Sequence, residues 1–244
     1  MRSINRTLAI AQRVLRQIGN DHRTVALMLV VPSLLIWLFS WMLNSQQAFD
    51  KIGPRLVGLF PFTVMFLLAS ITTLRERQSG TLERYLTMPM KRGEFILGYA
   101  LAFGLMAVIQ SAVTMSVAVF GLGLSVDDNF ELLMLAAVAN AILGMSLGLF
   151  ASAFANTEFQ VIQFMPAFIF PQIILGGLFV PQDQMPDELH AISDWLPLTH
   201  SLKALTDIAA NATTDEVLGE IGIVAAVSLG ALLLGALTLK KRTP

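Results

Sequence analysis

The sequence predicts an all-α polytopic membrane protein with six transmembrane helices, and three observations predict it. Of 244 residues, 55% are hydrophobic and only 14% charged, with a mean hydropathy of +0.68. A soluble domain carries roughly 25% charged residues. Six charge-free runs, Thr24–Phe49, Leu56–Leu74, Phe95–Val126, Leu132–Thr157, Phe159–Gln182 and Ile221–Leu239, succeed one another along the chain. Each is long enough to cross a bilayer, which takes roughly 20 mostly apolar residues. The basic residues also sort by side. Six spans put the N-terminal tail (Arg2, Arg6, Arg13, Arg16, Arg23), the connection after the second span (Arg75, Arg77, Arg84, Lys91, Arg92) and the C terminus (Lys240, Lys241, Arg242) together. Only Lys51, Arg55 and Lys203 fall on the other side, which collects Asp127, Asp128, Asp183, Asp187, Glu188, Asp215 and Glu216 instead. By the positive-inside rule both termini are cytoplasmic.

The chain divides into a cytoplasmic segment, 1–23, and a single six-span domain, 24–244, with spans at about 25–43, 56–74, 95–124, 132–155, 160–180 and 221–239. In the first segment Ile4, Leu8, Ala11, Leu15 and Ile18 recur at steps of four and three, with Arg2, Arg6, Arg13 and Arg16 opposite. That pattern predicts an amphipathic helix lying on the cytoplasmic membrane surface, or else one packed on another protein. No cleavable leader is expected, because 23 polar-rich residues precede the first span, which then serves as an uncleaved anchor.

The third span has 32 uncharged residues, about 48 Å of helix at about 1.5 Å each. It must tilt or project beyond the bilayer. The fifth holds Pro166, Pro171 and Gly176–Gly177, so kinks are expected. The connection from Asp183 to Glu220 contains two short outer helices. Pro186 followed by Asp187 and Glu188 starts one, with Leu189, Ile192 and Leu196 on a face until Pro197; Leu198, Leu202 and Leu205 stripe the second. Both should rest on the outer leaflet or dip into it.

Several chemistries are excluded. With no cysteine there are no disulfides, thiolate metal sites or cysteine nucleophiles, and no histidine or carboxylate cluster has metal-ligand spacing. No metal site and no nucleic-acid partner are expected. No ionisable residue lies inside the spans as drawn, whereas proton-coupled carriers place one there despite a cost of at least about 2.5 kcal/mol. A gradient-driven transporter or channel is therefore the alternative reading rather than the leading one. None of the five lysines follows a glycine, so the chain lacks a phosphate-binding loop. If ATP drives it, another polypeptide binds the ATP.

Gly144-Met145-Ser146-Leu147-Gly148 matches the serine-hydrolase pattern, but it falls mid-helix, and His22, His190 and His200 all lie outside the spans. That pattern needs a strand-to-helix turn and a nearby base. Ala136, Asn140, Gly144, Gly148 and Ser152 step by four along one face instead, a stripe for close helix packing in which Asn140 can bond across helices. The remaining intramembrane polar residues, Gln110, Gln163 and Gln172, either line a substrate path or tie helices together. Phe60, Phe62 and Phe66 either supply an apolar wall or face lipid.

The connection after the second span reads RERQSGTLERYLTMPMKR. Gly80 breaks the chain and Pro89 ends the next short element; between them Leu82, Tyr85 and Leu86 form one apolar face, with Glu83 and Arg84 elsewhere. This is a short helix parallel to the membrane. The arginines alone would satisfy a positive-inside anchor; a glycine-bounded helix with an exposed tyrosine and leucines suits docking of a cytoplasmic partner better.

The stretch RERQSGTLERYLTMPMKRGEFILGY resembles the cytoplasmic loop of type-2 ABC exporter permeases, keeping Glu76, Gly80, Thr81, Leu82, Glu83, Arg84, Pro89, Arg92, Glu94 and Gly98 and departing at Tyr85 and Tyr99. A second stretch, GGLFVPQDQMPDELHAISDWLPLTHSLKAL, is similar to that family's segment before the last span. The resemblance covers essentially the whole chain. It implies a membrane subunit with no catalytic residues or cofactor of its own, paired with a second copy or a paralogue and with two copies of a cytoplasmic ABC ATPase that binds ATP and Mg. Residues Gly80 to Thr87 would form the coupling helix, with Glu76, Gly80, Thr81, Leu82, Glu83, Arg84, Tyr85 and Leu86 at the ATPase interface. The second and fifth spans would face the dimer axis, which puts Phe62, Phe66, Gln163, Phe164, Phe168 and Gln172 along a substrate path. Asn140, Gly144 and Gly148 would serve helix packing. The setting implied is the bacterial plasma (inner) membrane, and the cargo a drug or another amphipathic, lipid-like molecule moved outward.

Overall fold

The computed structural model describes residues 2–79, 92–126, 129–178, 180–210 and 212–238. Among them are nine α-helices: α1 Arg2–Asn20, α2 His22–Leu43, α3 Gln46–Gln78, α4 Arg92–Ser116, α5 Phe130–Ser152, α6 Glu158–Leu175, α7 Asp187–Ser193, α8 Pro197–Ala209 and α9 Thr214–Thr238. A π-helical turn, Val117–Gly121, extends α4. Six helices, α2 to α6 and α9, are long and apolar enough to cross a membrane, as the composition predicts.

Differences at helix ends have local causes. The charge-free run predicts a second span from Leu56, yet α3 begins at Gln46 and runs 33 residues, about 50 Å at about 1.5 Å per residue. The extra turns survive their charges because those charges find partners. Asp50 accepts from Ser125 N at 3.0 Å and from Gln46 Nε2 at 3.0 Å, and Arg55 Nε donates to Thr206 Oγ1 at 2.7 Å. Ser45 caps the start, its side chain accepting from Ala48 N, as small hydroxyl residues do at helix N termini. The third span ends in the π-turn at Gly121 and does not continue helically to Val126. α6 stops at Leu175, where Gly176 and Gly177 turn the chain and Gly177 takes φ +81°, a left-handed value that glycine adopts without strain.

The centre of the bundle is the α3–α5 seam. A Cβ on Gly144 would collide with the carbonyl oxygen of Phe62, and one on Gly148 with that of Phe66. Glycine therefore lets the two backbones touch. In lipid no hydrophobic gain drives helices together, so close van der Waals approach of this kind is what holds them. One turn further along, Asn140 and Leu205 fill the space that a Cβ on Gly58 would need. Asn140 is fully buried, and its amide finds no hydrogen-bond partner among the described residues.

Two expectations about the short helices sharpen. α8 does not rest on a surface: Leu198, Leu202, Leu205 and Ile208 are buried in the main core with Leu56, Phe62 and Leu133. Pro197 opens this helix, a position where its missing N–H costs nothing. α7 keeps Leu189 and Ile192 exposed. The three tryptophans, Trp37, Trp41 and Trp195, are all exposed at the far side from the N terminus, as an interfacial aromatic belt requires; Trp37 and Trp41 stack at 5.6 Å.

α1 is amphipathic as expected, but its buried line is rotated. Ile10, Ala11, Val14 and Ile18 pack into a core with Phe95, Ile96 and Tyr99 of α4, while Ile4 and Leu8 stay open. One apolar arc is thus split between protein and surroundings. Gly98 makes the seat, since a Cβ there would press on Ile10 and the Thr7 carbonyl.

Candidate functional site

Between α3, α5 and α6 lies a cavity of about 340 Å³, lined by Phe66, Leu147, Phe150, Ala151, Phe154, Phe164, Phe168, Ile169 and Gln172. Three elements position this lining. The Gly144–Gly148 seam fixes α3 against α5, so Phe66 and Leu147 cannot separate. At the end of α5, Phe150 and, in the turn just after the helix, Phe154 stand with rings edge to face at 5.1 Å. On α6, Phe164 and Phe168 repeat that pair at 5.9 Å. Such edge-to-face pairs are the preferred aromatic geometry.

Gln172 is the polar member, and its amide is occupied. Nε2 donates to the Phe168 carbonyl at 2.9 Å, and Oε1 accepts from Leu198 N at 3.4 Å, joining α6 to the start of α8. The cavity therefore offers a guest aromatic and aliphatic surface rather than hydrogen bonds. A pocket of this kind selects by shape and apolar area.

The sequence-derived residues separate here. Phe66, Phe164, Phe168 and Gln172 come together around the cavity. Phe62 is completely buried in the main core, and Gln163 points to the surface of α6. Leu147, Phe150, Ala151, Phe154 and Ile169 also line the cavity, and sequence reading did not single them out. The spacing of Phe150 and Phe154 by four was the one available signal.

Below the cavity, on the N-terminal side, the last turn of α3 grips the turn between α5 and α6. Arg77 donates to the carbonyls of Ser152 and Ala155, the latter at 3.4 Å. Gln78 Nε2 donates to the Asn156 carbonyl at 2.8 Å. Arg75 holds Glu158, the first residue of α6, through two bonds of 2.7 and 3.1 Å. The segment that these residues lead into, 80–91, carries Gly80, Thr81, Leu82, Glu83, Arg84, Tyr85 and Leu86 and lies outside the described residues.

Glu76 belongs to the same motif, but its side chain points inward. It is buried and accepts from Arg13 of α1 at 2.9 and 3.2 Å. Glu94 likewise turns to α1, accepting from Ser3 Oγ at 2.6 Å, with Arg6 3.9 Å away. Glu76 and Glu94 thus clamp α1 across the ends of α3 and α4. Among the described residues no cluster of histidine and carboxylate groups could hold a metal ion.

Compared with known families, residues 5–209 match the ABC-2 type transporter model. The chain belongs to the ABC-2 type transporter family. Within it, the chain is 25% identical over 203 residues to the linearmycin resistance permease protein of Bacillus subtilis, covering 81% of this chain and 51% of that one. It is 27% identical over 169 residues to an inner membrane transport permease of Escherichia coli, covering 65% of this chain and 45% of that one. It is also 28% identical over 164 residues to ABC transporter G family member 20 of Dictyostelium discoideum, covering 67% of this chain but 22% of that protein. This ABC-2 chain spans about half or less of the length of these curated relatives.

Proposed function

We propose that the chain is the membrane subunit of an ATP-driven exporter that moves an amphipathic, drug-like or lipid-like molecule outward across a bacterial plasma membrane. A separate cytoplasmic ABC ATPase, present in two copies, binds ATP and Mg and supplies the work, and a second copy of this chain or a paralogue completes the membrane part. Both termini face the cytoplasm.

The observation that carries this reading is the aromatic cavity beside the side-chain ties from the end of α3 to the start of α6, in a chain of the ABC-2 family. Support for a separate energy source comes from the missing phosphate-binding loop. Support for the cargo class comes from a wall whose one polar side chain is already satisfied. The permease names of the relatives, one of which is for linearmycin resistance, agree with a drug or a lipid-like molecule.

The geometry suggests how force travels. Residues 80–91 would seat in the ATPase. Their movement pulls on Arg75, Arg77 and Gln78, which hold the first residues of α6 and the turn before it. α6 forms one wall of the cavity, so a shift at its start changes the width of the path. The seam on the other wall stays fixed.

The test is co-purification of the tagged chain with any ABC ATPase encoded beside it, with ATP hydrolysis measured in lipid nanodiscs. The wild type should form a complex that turns over ATP, and Glu83→Ala/Leu86→Ala should dissociate or uncouple it. If the wild type binds no ATPase, the reading fails and a gradient-driven carrier or channel takes its place.

A further inference from the structure

A second cavity, of about 380 Å³, opens between the end of α1, α2 and α3. It is not the aromatic cavity seen from another side. Val64 and Ile71, which line it, lie roughly 150° around α3 from Phe66.

Its lining changes character along both long helices in the same direction. Leu27 and Val31 of α2 face Val64 and Leu67 of α3 at the deep end. Asp21, Thr72 and Arg75 form the mouth, at the N-terminal side. An apolar slot within the membrane, ending in charged groups at its surface, has the polarity profile of one phospholipid. The charges at the mouth then narrow the headgroup. Asp21 accepts from Thr24 N at 3.1 Å and Thr24 Oγ1 at 2.6 Å, bonds that favour the ionised carboxylate. Arg75 spends Nε and one terminal nitrogen on Glu158, and its other terminal nitrogen has no hydrogen bond among the described residues. The mouth is therefore dipolar, with Asp21 and Arg75 near enough to feel each other's charge.

An anionic headgroup would meet Arg75 but be repelled by Asp21, and a cationic amphiphile would suffer the reverse. A zwitterion satisfies both. We propose that this groove binds one phospholipid with a phosphate and a primary ammonium, the phosphate on the free nitrogen of Arg75, the ammonium on Asp21 and one acyl chain between α2 and α3. The site does not depend on what the aromatic cavity carries.

The full-length chain, purified in detergent, is mixed with equal amounts of phosphatidylethanolamine and phosphatidylglycerol, and retained lipids are weighed by native mass spectrometry. One phosphatidylethanolamine per chain should be retained, favoured by about tenfold, the ratio that 1.4 kcal/mol of charge-assisted contact gives. Asp21→Asn should abolish the preference but not the binding, and Val64→Trp, which fills the slot, should abolish both. Because Val64→Trp can also fail to fold, the wild type is irradiated with a phosphatidylethanolamine bearing a diazirine in its acyl chain. Label should enter 24–31 and 64–71 and be competed by unlabelled phosphatidylethanolamine at about one tenth of the concentration at which phosphatidylglycerol competes. Equal retention of the two lipids, or label that phosphatidylethanolamine does not compete, overturns the proposal.

Discussion

The two walls of the aromatic cavity are built differently. On one side α5 meets α3 through Gly144 and Gly148, backbone on backbone. On the other, α6 buries only Val161, Ile169 and Gln172 among its 18 residues and carries Pro166 and Pro171 within it. Each proline deletes a backbone hydrogen bond and loosens the helix. The difference teaches where motion can occur. A contact between backbones has one geometry, whereas a wall held by three buried side chains and polar ties at its ends can shift and return.

The largest expected effect tests the fixed wall. Gly144→Leu should cost about 3 kcal/mol through overpacking against the Phe62 carbonyl, read as a lower thermal midpoint of the purified chain. Ile174→Ala on exposed α6 should cost under about 0.5 kcal/mol. Similar losses for the two would break the comparison. Next comes the clamp that holds the near end of α3. Arg13→Ala leaves Glu76 buried without its guanidinium and should cost about 2 kcal/mol, between a surface and a fully buried pair; double-mutant analysis with Glu76→Gln measures the coupling.

Gln172→Leu sharpens the account of the mobile wall. It removes the tie to Leu198 N, so stability should drop by about 1 kcal/mol. The rate of ATP turnover in the assembled complex should change more than stability does, because α6 loses its anchor to α8. Arg75→Ala is smaller still. Both partners of the Arg75–Glu158 bridge are about half exposed, so stability should change by no more than about 0.5 kcal/mol. Coupling between hydrolysis and transport should nevertheless weaken, which assays of the two in one proteoliposome preparation would detect.

The smallest effect is a pH dependence on the far side. Lys203 donates to Glu220 at 2.6 Å, and this bond raises its pKa above the ordinary 10.5, against the opposing effect of burial. A raised lysine contributes stability that is fully present below pH 10.5 and is lost as pH rises through the higher folded value. Wild type should therefore lose slightly more of its thermal midpoint than Lys203→Met on going from pH 9 to about pH 11.

Much of the fold was legible because membrane helices advertise themselves by length and lack of charge. The six spans, the start signal at Pro186 and the glycine stripe on α5 could all be read directly, whereas Pro197, read as the end of one short helix, also opens the next. What escaped was set by distant partners. The charged start of α3 looks like a loop until Ser125 and Thr206 supply bonds to Asp50 and Arg55. The apolar arc of α1 is wide enough to allow several buried lines, and the notch at Gly98, which takes Ile10, favours the observed one. Glu76 reads as an exposed loop acid, since its partner Arg13 lies 63 residues away. Of the cavity, the α6 half was visible as an aromatic–glutamine pattern around two prolines. Phe150 and Phe154 on the α5 half were not, because a phenylalanine that lines a cavity and one that faces lipid obey the same periodicity.

The seam also has a consequence for genetics. What blocks a larger residue at 144 or 148 is a main-chain oxygen, of Phe62 or Phe66. Every amino acid carries that oxygen, so no replacement at 62 or 66 can make room. A screen for second-site suppressors of Gly144→Leu should recover true revertants and changes that tilt whole helices, but none at the position it touches.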